Sequence, residues 1–273
     1  NPAPWMRRIL IIWKVLSMAK VEYGLQMYSL RDITGNDLKD ALLQVAEMGY
    51  KYIEFAGFFG HKAEDVRQWL DEYGLVCSGT HTGGEALAED VIADTIAYHK
   101  AIGCPNLIIP GMDWSTEEKH EENIALINKA LPILAENGIA LGYHNHSGEF
   151  FPMPYGKVVE DEIIARTNVA LQIDTWWAFN AGVDPVAYCE TYKDRIRVIH
   201  LKDGIACKPE CRDQIHWGDG VEGRSVGSGE APILAVREWC LKNGVLMVVE
   251  SEGLDPTGPE EVGRCIDFLR TLD

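Results

Sequence analysis

The stretch "ENGIALGYHNHSGEFFP", residues 136–152, carries the fold and the chemistry together. A helical pattern stops at Gly138, the apolar run Ile139-Ala140-Leu141 opens a strand, and the strand ends on His144 and His146 with Glu149 three residues on. A glycine behind a helix is free to take positive φ, so it closes the helix and turns the chain into the next strand. The same helix–glycine–strand joint recurs at Gly49, Gly74, Gly103 and Gly244.

Working outward from these joints, hydrophobic periodicity predicts strands at 23–28, 51–55, 75–80, 105–109, 139–144, 169–174, 196–201 and 245–250. Helical patterns lie near 37–48, 62–73, 86–102, 117–136, 157–166, 184–193, 231–242 and 258–271. Strands separated by one helix each must pair in parallel through right-handed crossovers. Eight units of roughly 30 residues match the usual size, about 250 residues, of a closed barrel. The expected fold is therefore α/β, a single (β/α)8 TIM barrel over 21–273, with no linker marking a second domain.

Residues 1–20 read differently. Arg7 and Arg8 precede an apolar run, as in a secretory leader, but Lys14 interrupts it and no small-x-small cleavage site comes after it. The expectation is a leader or tag-like extension, with the native start at Met18. No other stretch reaches the roughly 18–20 apolar residues that a membrane span needs, so no membrane partner is expected.

The formal net charge is −17, and the first 20 residues contribute four basic side chains and no acid, so the body of the chain is more acidic still. Such a body repels a phosphate backbone, which argues against a nucleic-acid partner. Seven cysteines, odd in number and mostly within apolar or helical pattern, suit a reducing, cytoplasmic setting. Cys207 and Cys211 stand apart as a close pair in a polar loop, where a disulfide or a structural metal is the alternative.

In a barrel of this kind the chemistry sits at the C-terminal ends of the strands. Those ends deliver Gln26 with Tyr28, Glu54, His81, the His144/His146/Glu149 group, Asp174, His200 with Lys202, and Glu250 with Glu252. Asp174 alone would serve equally as the N-cap of the next segment, and His200 alone as a core histidine. Lys202 shares the His200 face, and Glu250 ends the most apolar strand, where a carboxylate is costly unless paired, hydrogen-bonded or metal-bound. Taken together, Asp174, His200 and Glu250 with a donor from the fifth strand would enclose one divalent cation, Mn, Co, Zn or Mg.

The motifs "GLQMYSLRD", "YIEFAGFFG", "GTHTG", "YHNHSGEF", "DTWWAFNAGVDP", "HLKDG", "VGSGE" and "VVESEG" occur in order at the right strand ends. From about Val21 onward the chain resembles the xylose-isomerase-like TIM barrels, which include sugar phosphate isomerases/epimerases, inosose dehydratases and endonuclease IV enzymes. The resemblance implies one divalent metal held by a Glu of strand 5, an Asp of strand 6, a His of strand 7 and a Glu of strand 8. The last three match Asp174, His200 and Glu250. The first departs from the pattern: His144 stands where the family shows its Glu, so either His144 or Glu149 supplies that ligand. "YHNH" with "HLKD" looks closer to the inosose dehydratases than to the phosphosugar isomerases, and the further ligands of the endonuclease branch are not in place.

Such a site supports proton removal from carbon beside a carbonyl through an enediolate. The expected ligands are Glu149, Asp174, His200 and Glu250, with His144 or His146 as proton shuttle. An imidazole, with a pKa of about 6.5, suits that work near neutrality. Lys202 and His81 are expected on substrate oxygens, and Gln26, Glu54, Trp176 and Trp177, with Phe58 and Phe59, around the ring. The leading function is a metal-dependent isomerase or epimerase of a sugar or keto-sugar. The runner-up is a lyase of the inosose-dehydratase or keto-glycoside-cleaving kind, and a non-catalytic sugar-binding barrel is the third reading. A homo-oligomer is compatible with all three. "VGSGE", residues 226–230, would bind an anion through its amides or cap the seventh helix.

Overall fold

The computed structural model describes residues 20–207 and 222–273. Residues 1–19, on which the leader expectation falls, and Cys211 lie outside the described residues. The barrel strands are β1 (Gly24–Gln26), β2 (Tyr52–Phe55), β3 (Val76–His81), β4 (Asn106–Ile109), β5 (Ala140–His144), β6 (Ala170–Asp174), β7 (Ile196–Leu201) and β10 (Leu246–Val249). All eight are parallel and close on one another in the order β1-β10-β7-β6-β5-β4-β3-β2. Every boundary falls within one residue of its predicted segment except the end of β1, which stops two residues early where Met27–Leu30 forms a 3-10 turn.

The helices between them are α1 (Leu38–Met48), α2 (Ala63–Tyr73), α3 (Ile92–Ile102), α4 (Glu117–Glu136), α5 (Val159–Arg166), α6 (Pro185–Thr191), α7 (Ile233–Asn243) and α8 (Gly258–Arg270). Helix α1 shows the local logic. The Asp37 side chain accepts the Asp40 amide at its start, Leu38, Leu42 and Val45 share the buried face, and Gly49 ends it at φ +92°. Burying each such side chain stabilises by about 1.5–3 kcal/mol. The third helix begins later than its pattern implied, because Gly84–Leu87 forms a separate 3-10 turn.

Among the described residues, the strand pairing outside the expected pattern is an antiparallel hairpin, β8 (Asp203–Ile205) with β9 (Glu222–Arg224), standing on the C-terminal end of β7. It explains "VGSGE". The Asp203 carboxylate accepts the amides of Gly227 and Gly229 at 2.9 Å each and of Ala231 at 3.0 Å. The anion those amides attract is thus supplied by the chain itself, and the loop is held for α7 rather than for a ligand.

Candidate active site

Register places the polar ends side by side: Gln26 opposite Glu54, His144 opposite Gln172, Asp174 opposite His200. Because side chains alternate across a strand, Gln172 and Asp174 on β6, and His200 and Lys202 at the end of β7, all enter the barrel. They form two layers.

The lower layer centres on Glu54, which is fully buried. One carboxylate oxygen accepts Gln26 Nε2 at 2.7 Å and His200 Nε2 at 2.6 Å, and the other accepts Gln172 Nε2 at 2.5 Å. Burial alone would raise its pKa, but the imidazoles of His200 and His81 outweigh burial and hold it well below the usual carboxylate range. Gln26 and Glu54 were expected to meet substrate. The structure places both out of reach, with their polar atoms paired inside the barrel, because the layer above covers them.

In the upper layer, His144, Asp174, His200 and Glu250 each offer a ligand atom, all within 4.8 Å of one another and all buried. His200 Nδ1 is 2.9 Å from Glu250 Oε2 and 4.0 Å from Asp174 Oδ2. Burial pulls the His200 pKa down, yet Glu54 and Glu250 on either side push it up to about 10. Burial lifts Asp174 to about 6, with Lys202 opposing and Glu250 assisting. His144 is driven well below the usual histidine value by burial and by its imidazole neighbours, so its ring is neutral and has a lone pair to give.

Asp174 satisfies both of its sequence readings, one oxygen each. Oδ1 caps the short helix Thr175–Asn180 by accepting the Trp177 amide at 2.9 Å, while Oδ2 is buried with no hydrogen-bond partner. His144 Nδ1 is likewise buried and unpartnered. Buried polar atoms are costly when unmatched. Two such atoms beside a histidine and a glutamate fit a divalent cation held by mixed nitrogen and oxygen ligands.

Glu149 is not part of this set, which corrects its expected place as a ligand. Its carboxylate accepts the His146 amide at 3.0 Å and the Tyr143 hydroxyl at 3.4 Å, and the Gly148–Phe150 turn holds it under His146. The His146 ring sits 4.7 Å from that of His144, with its Nδ1 3.9 Å from Glu149 Oε1.

Lys202 also departs from expectation. It is buried, with its ammonium 2.7 Å from Glu252, 3.7 Å from Glu250 and 4.0 Å from Asp174, and 4.6 Å above the Trp177 ring. It therefore balances three carboxylates and does not line the cavity over the cluster. Trp176 and Trp177 are buried behind it and do not wall the opening. Phe59 is half exposed, and Phe58 packs on Phe55 and Tyr98.

A cavity of about 280 Å³ opens over the cluster and is lined by Tyr28, Ala56, His81, Pro110, His144, His146, Glu250 and Glu252. Of the expected substrate residues, only His81 reaches it. A larger cavity, about 660 Å³, lies at the other end of the barrel among strand starts such as Val76, Asn106 and Leu246. It holds none of the clustered ligands, so the smaller one is the candidate site.

Two contributors escaped the sequence reading. Gln172 bridges His81 and Glu54; an amide two residues before Asp174 on the same strand face was its only signal. Asn145 exchanges two hydrogen bonds with the Asp174 backbone, at 3.0 and 3.2 Å, and so fixes where that carboxylate starts.

A family model, the xylose isomerase-like TIM barrel, matches residues 42–272. The chain belongs to that family. Among individual proteins, the inosose dehydratase of Geobacillus kaustophilus (strain HTA426) is 27% identical over 194 residues, which is 59% of this chain. The match spans 60% of that relative's length. A sugar phosphate isomerase/epimerase from Parabacteroides distasonis superposes with a TM-score of 0.72 at 24% identity, covering 93% of this chain and 94% of that one. The probable 3-DHS dehydratase AsbF from Bacillus anthracis gives 0.69 at 12% identity, covering 91% and 98%. At these identities the two structures speak for the fold. Proteins named for sugar phosphate isomerisation or epimerisation and for inosose dehydration are thus among those it is similar to, and no helix among the described residues is long and apolar enough to cross a membrane.

Proposed function

We propose that this protein is a divalent-metal-dependent sugar isomerase or epimerase that removes a proton from carbon beside a carbonyl. The observation that carries the reading is the convergence of His144 Nδ1 and Asp174 Oδ2, both buried without hydrogen-bond partners, on His200 and Glu250 beneath the cavity. His144, Asp174, His200 and Glu250 would hold the cation, with manganese, cobalt, zinc and magnesium all compatible. When bound, it would supply Lewis-acid polarisation of the substrate carbonyl.

The rest falls to the chain. His146, at the cavity wall, takes and returns the proton, while Glu149 fixes its backbone and faces its ring. His81 and Tyr28 meet substrate oxygens from the opposite side of the opening. Lys202 holds Glu250 and Glu252 in place through ion pairs at 3.7 and 2.7 Å. Trp177 supports His146 and Lys202 from behind.

A second reading, a lyase that eliminates water or an alcohol after the same proton removal, is favoured by the likeness to inosose dehydratase. Both readings need the metal, and a barrel that merely binds sugar does not. Elemental analysis of the parent beside Asp174→Asn and Glu250→Gln tests this. About one divalent ion per chain in the parent and at least tenfold less in both variants is the expected outcome; equal metal content in all three would sink the assignment. Products formed from a panel of ketoses and keto-polyols then separate epimerised sugar from eliminated sugar.

A further inference from the structure

We propose that Glu54, which reaches neither the cavity nor the four clustered ligands' open side, is a positioning residue that dictates which nitrogen carries the proton on two imidazoles at once. This rests on the metal reading above.

An ionised carboxylate only accepts hydrogen bonds. Glu54 Oε1 lies 2.6 Å from His200 Nε2, so that nitrogen must be the N–H, and Nδ1 is the one left to face Asp174 and Glu250. Glu54 Oε2 accepts from Gln172 Nε2 at 2.5 Å, which fixes the orientation of that amide. The Gln172 carbonyl oxygen must then accept, and it does so from His81 Nε2 at 2.7 Å. His81 Nε2 is therefore also the N–H, and Nδ1 is the ring nitrogen available at the cavity lined by His81. Gln26, whose own Oε1 accepts the Tyr28 amide, donates to Glu54 and keeps its carboxylate from rotating.

The barrel leaves space for this hub. A Cβ at Gly79, mid-strand on β3, would lie 3.3 Å from Glu54 Oε2 and 3.0 Å from Ile108 Cδ1, so any larger residue there presses on the carboxylate. A carboxylate behind a ligating imidazole sets its tautomer and raises its basicity, and losing one typically costs 10–100-fold in metal affinity. Here the same carboxylate meets a second imidazole twice, directly with Oε1 3.2 Å from His81 Nε2 and through the Gln172 amide.

The decisive variant is the exchange Glu54→Gln with Gln172→Glu. It keeps the buried charge and the number of hydrogen-bond partners but moves the charge from a position that touches both His200 and His81 to one that touches His81 alone. Manganese affinity, read by chelator competition beside melting curves, is expected to fall at least tenfold with little change in melting temperature. An exchanged protein that binds manganese as tightly as the parent overturns the inference while leaving the metal site standing. A parent that binds no manganese overturns the site and this inference with it. The parent alone supplies a second reading, independent of how the variant folds. In zinc-loaded protein, long-range ¹H–¹⁵N spectra should show His200 protonated on Nε2, and protonation on Nδ1 would refute the assignment.

Discussion

The rings of His144 and His146 lie 4.7 Å apart at 79° to each other, yet the two residues face different partners. His144 ends β5 inside the buried cluster, while His146, two residues on, has left the strand and stands over Glu149. The pair that looked equivalent in the sequence is divided by one strand end.

This division predicts opposite signatures for two parallel substitutions. His144→Gln should lower metal affinity at least tenfold, since losing even a partner behind a ligand typically costs about 10–100-fold. His146→Gln should leave metal content near the parent value and slow turnover by about 10²–10⁴-fold, the usual worth of a general acid–base group. Metal titration and steady-state rates on the same preparations check both. Finding that His146→Gln loses metal while His144→Gln keeps it would reverse the assignment.

A pH effect on stability is expected from Glu160, at the start of α5. It is buried, and burial pushes its pKa from 4.5 to about 7, opposed by the Tyr188 hydroxyl that donates to it at 2.7 Å. Folding favours the protonated form, so this group's contribution is full below about pH 4.5 and is lost as pH rises through about 7. The shift corresponds to roughly 3 kcal/mol at most. Glu160→Gln should therefore match the parent in denaturant unfolding near pH 4.5 and exceed it by up to that amount at pH 8. Identical pH profiles would show that Glu160 titrates normally.

Asp203 should matter to stability more than its place beside the site suggests. Asp203→Ala leaves the amides of Gly204, Gly227, Gly229 and Ala231 without their acceptor. A loss of about 3 kcal/mol is expected, since each buried donor left unmatched costs about 1–3 kcal/mol and some will find water. Gly229→Ala should act in the same direction, because a Cβ there overlaps the Asp203 carboxylate. Urea unfolding measures both, and a change below about 0.5 kcal/mol in each, the range of neutral surface substitutions, would contradict the role given to this loop.

The barrel was readable because its signals are local. Gly49, Gly74, Gly103, Gly138 and Gly244 all take positive φ at helix ends, and the apolar runs behind them have strand length. The β8–β9 hairpin was not readable: Asp203–Ile205 is three residues long, and its partner, Glu222–Arg224, is polar and distant in sequence. Strand ends located the cluster, since Asp174, His200 and Glu250 needed only the alternation of side chains. Which carboxylates face the opening depends on depth along the barrel axis, and no pattern in the sequence records depth. Hence Glu54 and Lys202 were expected at the substrate and are found buried outside the lining of the cavity. Glu149 was misplaced for a related reason, because a short turn after the strand decides whether its side chain reaches back to the cluster or folds under His146.

The most direct measurement of the central claim is deuterium uptake from D₂O into a panel of ketoses and keto-polyols, tracked by NMR with and without chelator. Uptake at the carbon beside the carbonyl is expected in the metal-loaded protein, abolished by chelation, restored by manganese and absent in Asp174→Asn. Uptake that persists unchanged after the metal is removed, or none from any member of the panel with the metal bound, would contradict it.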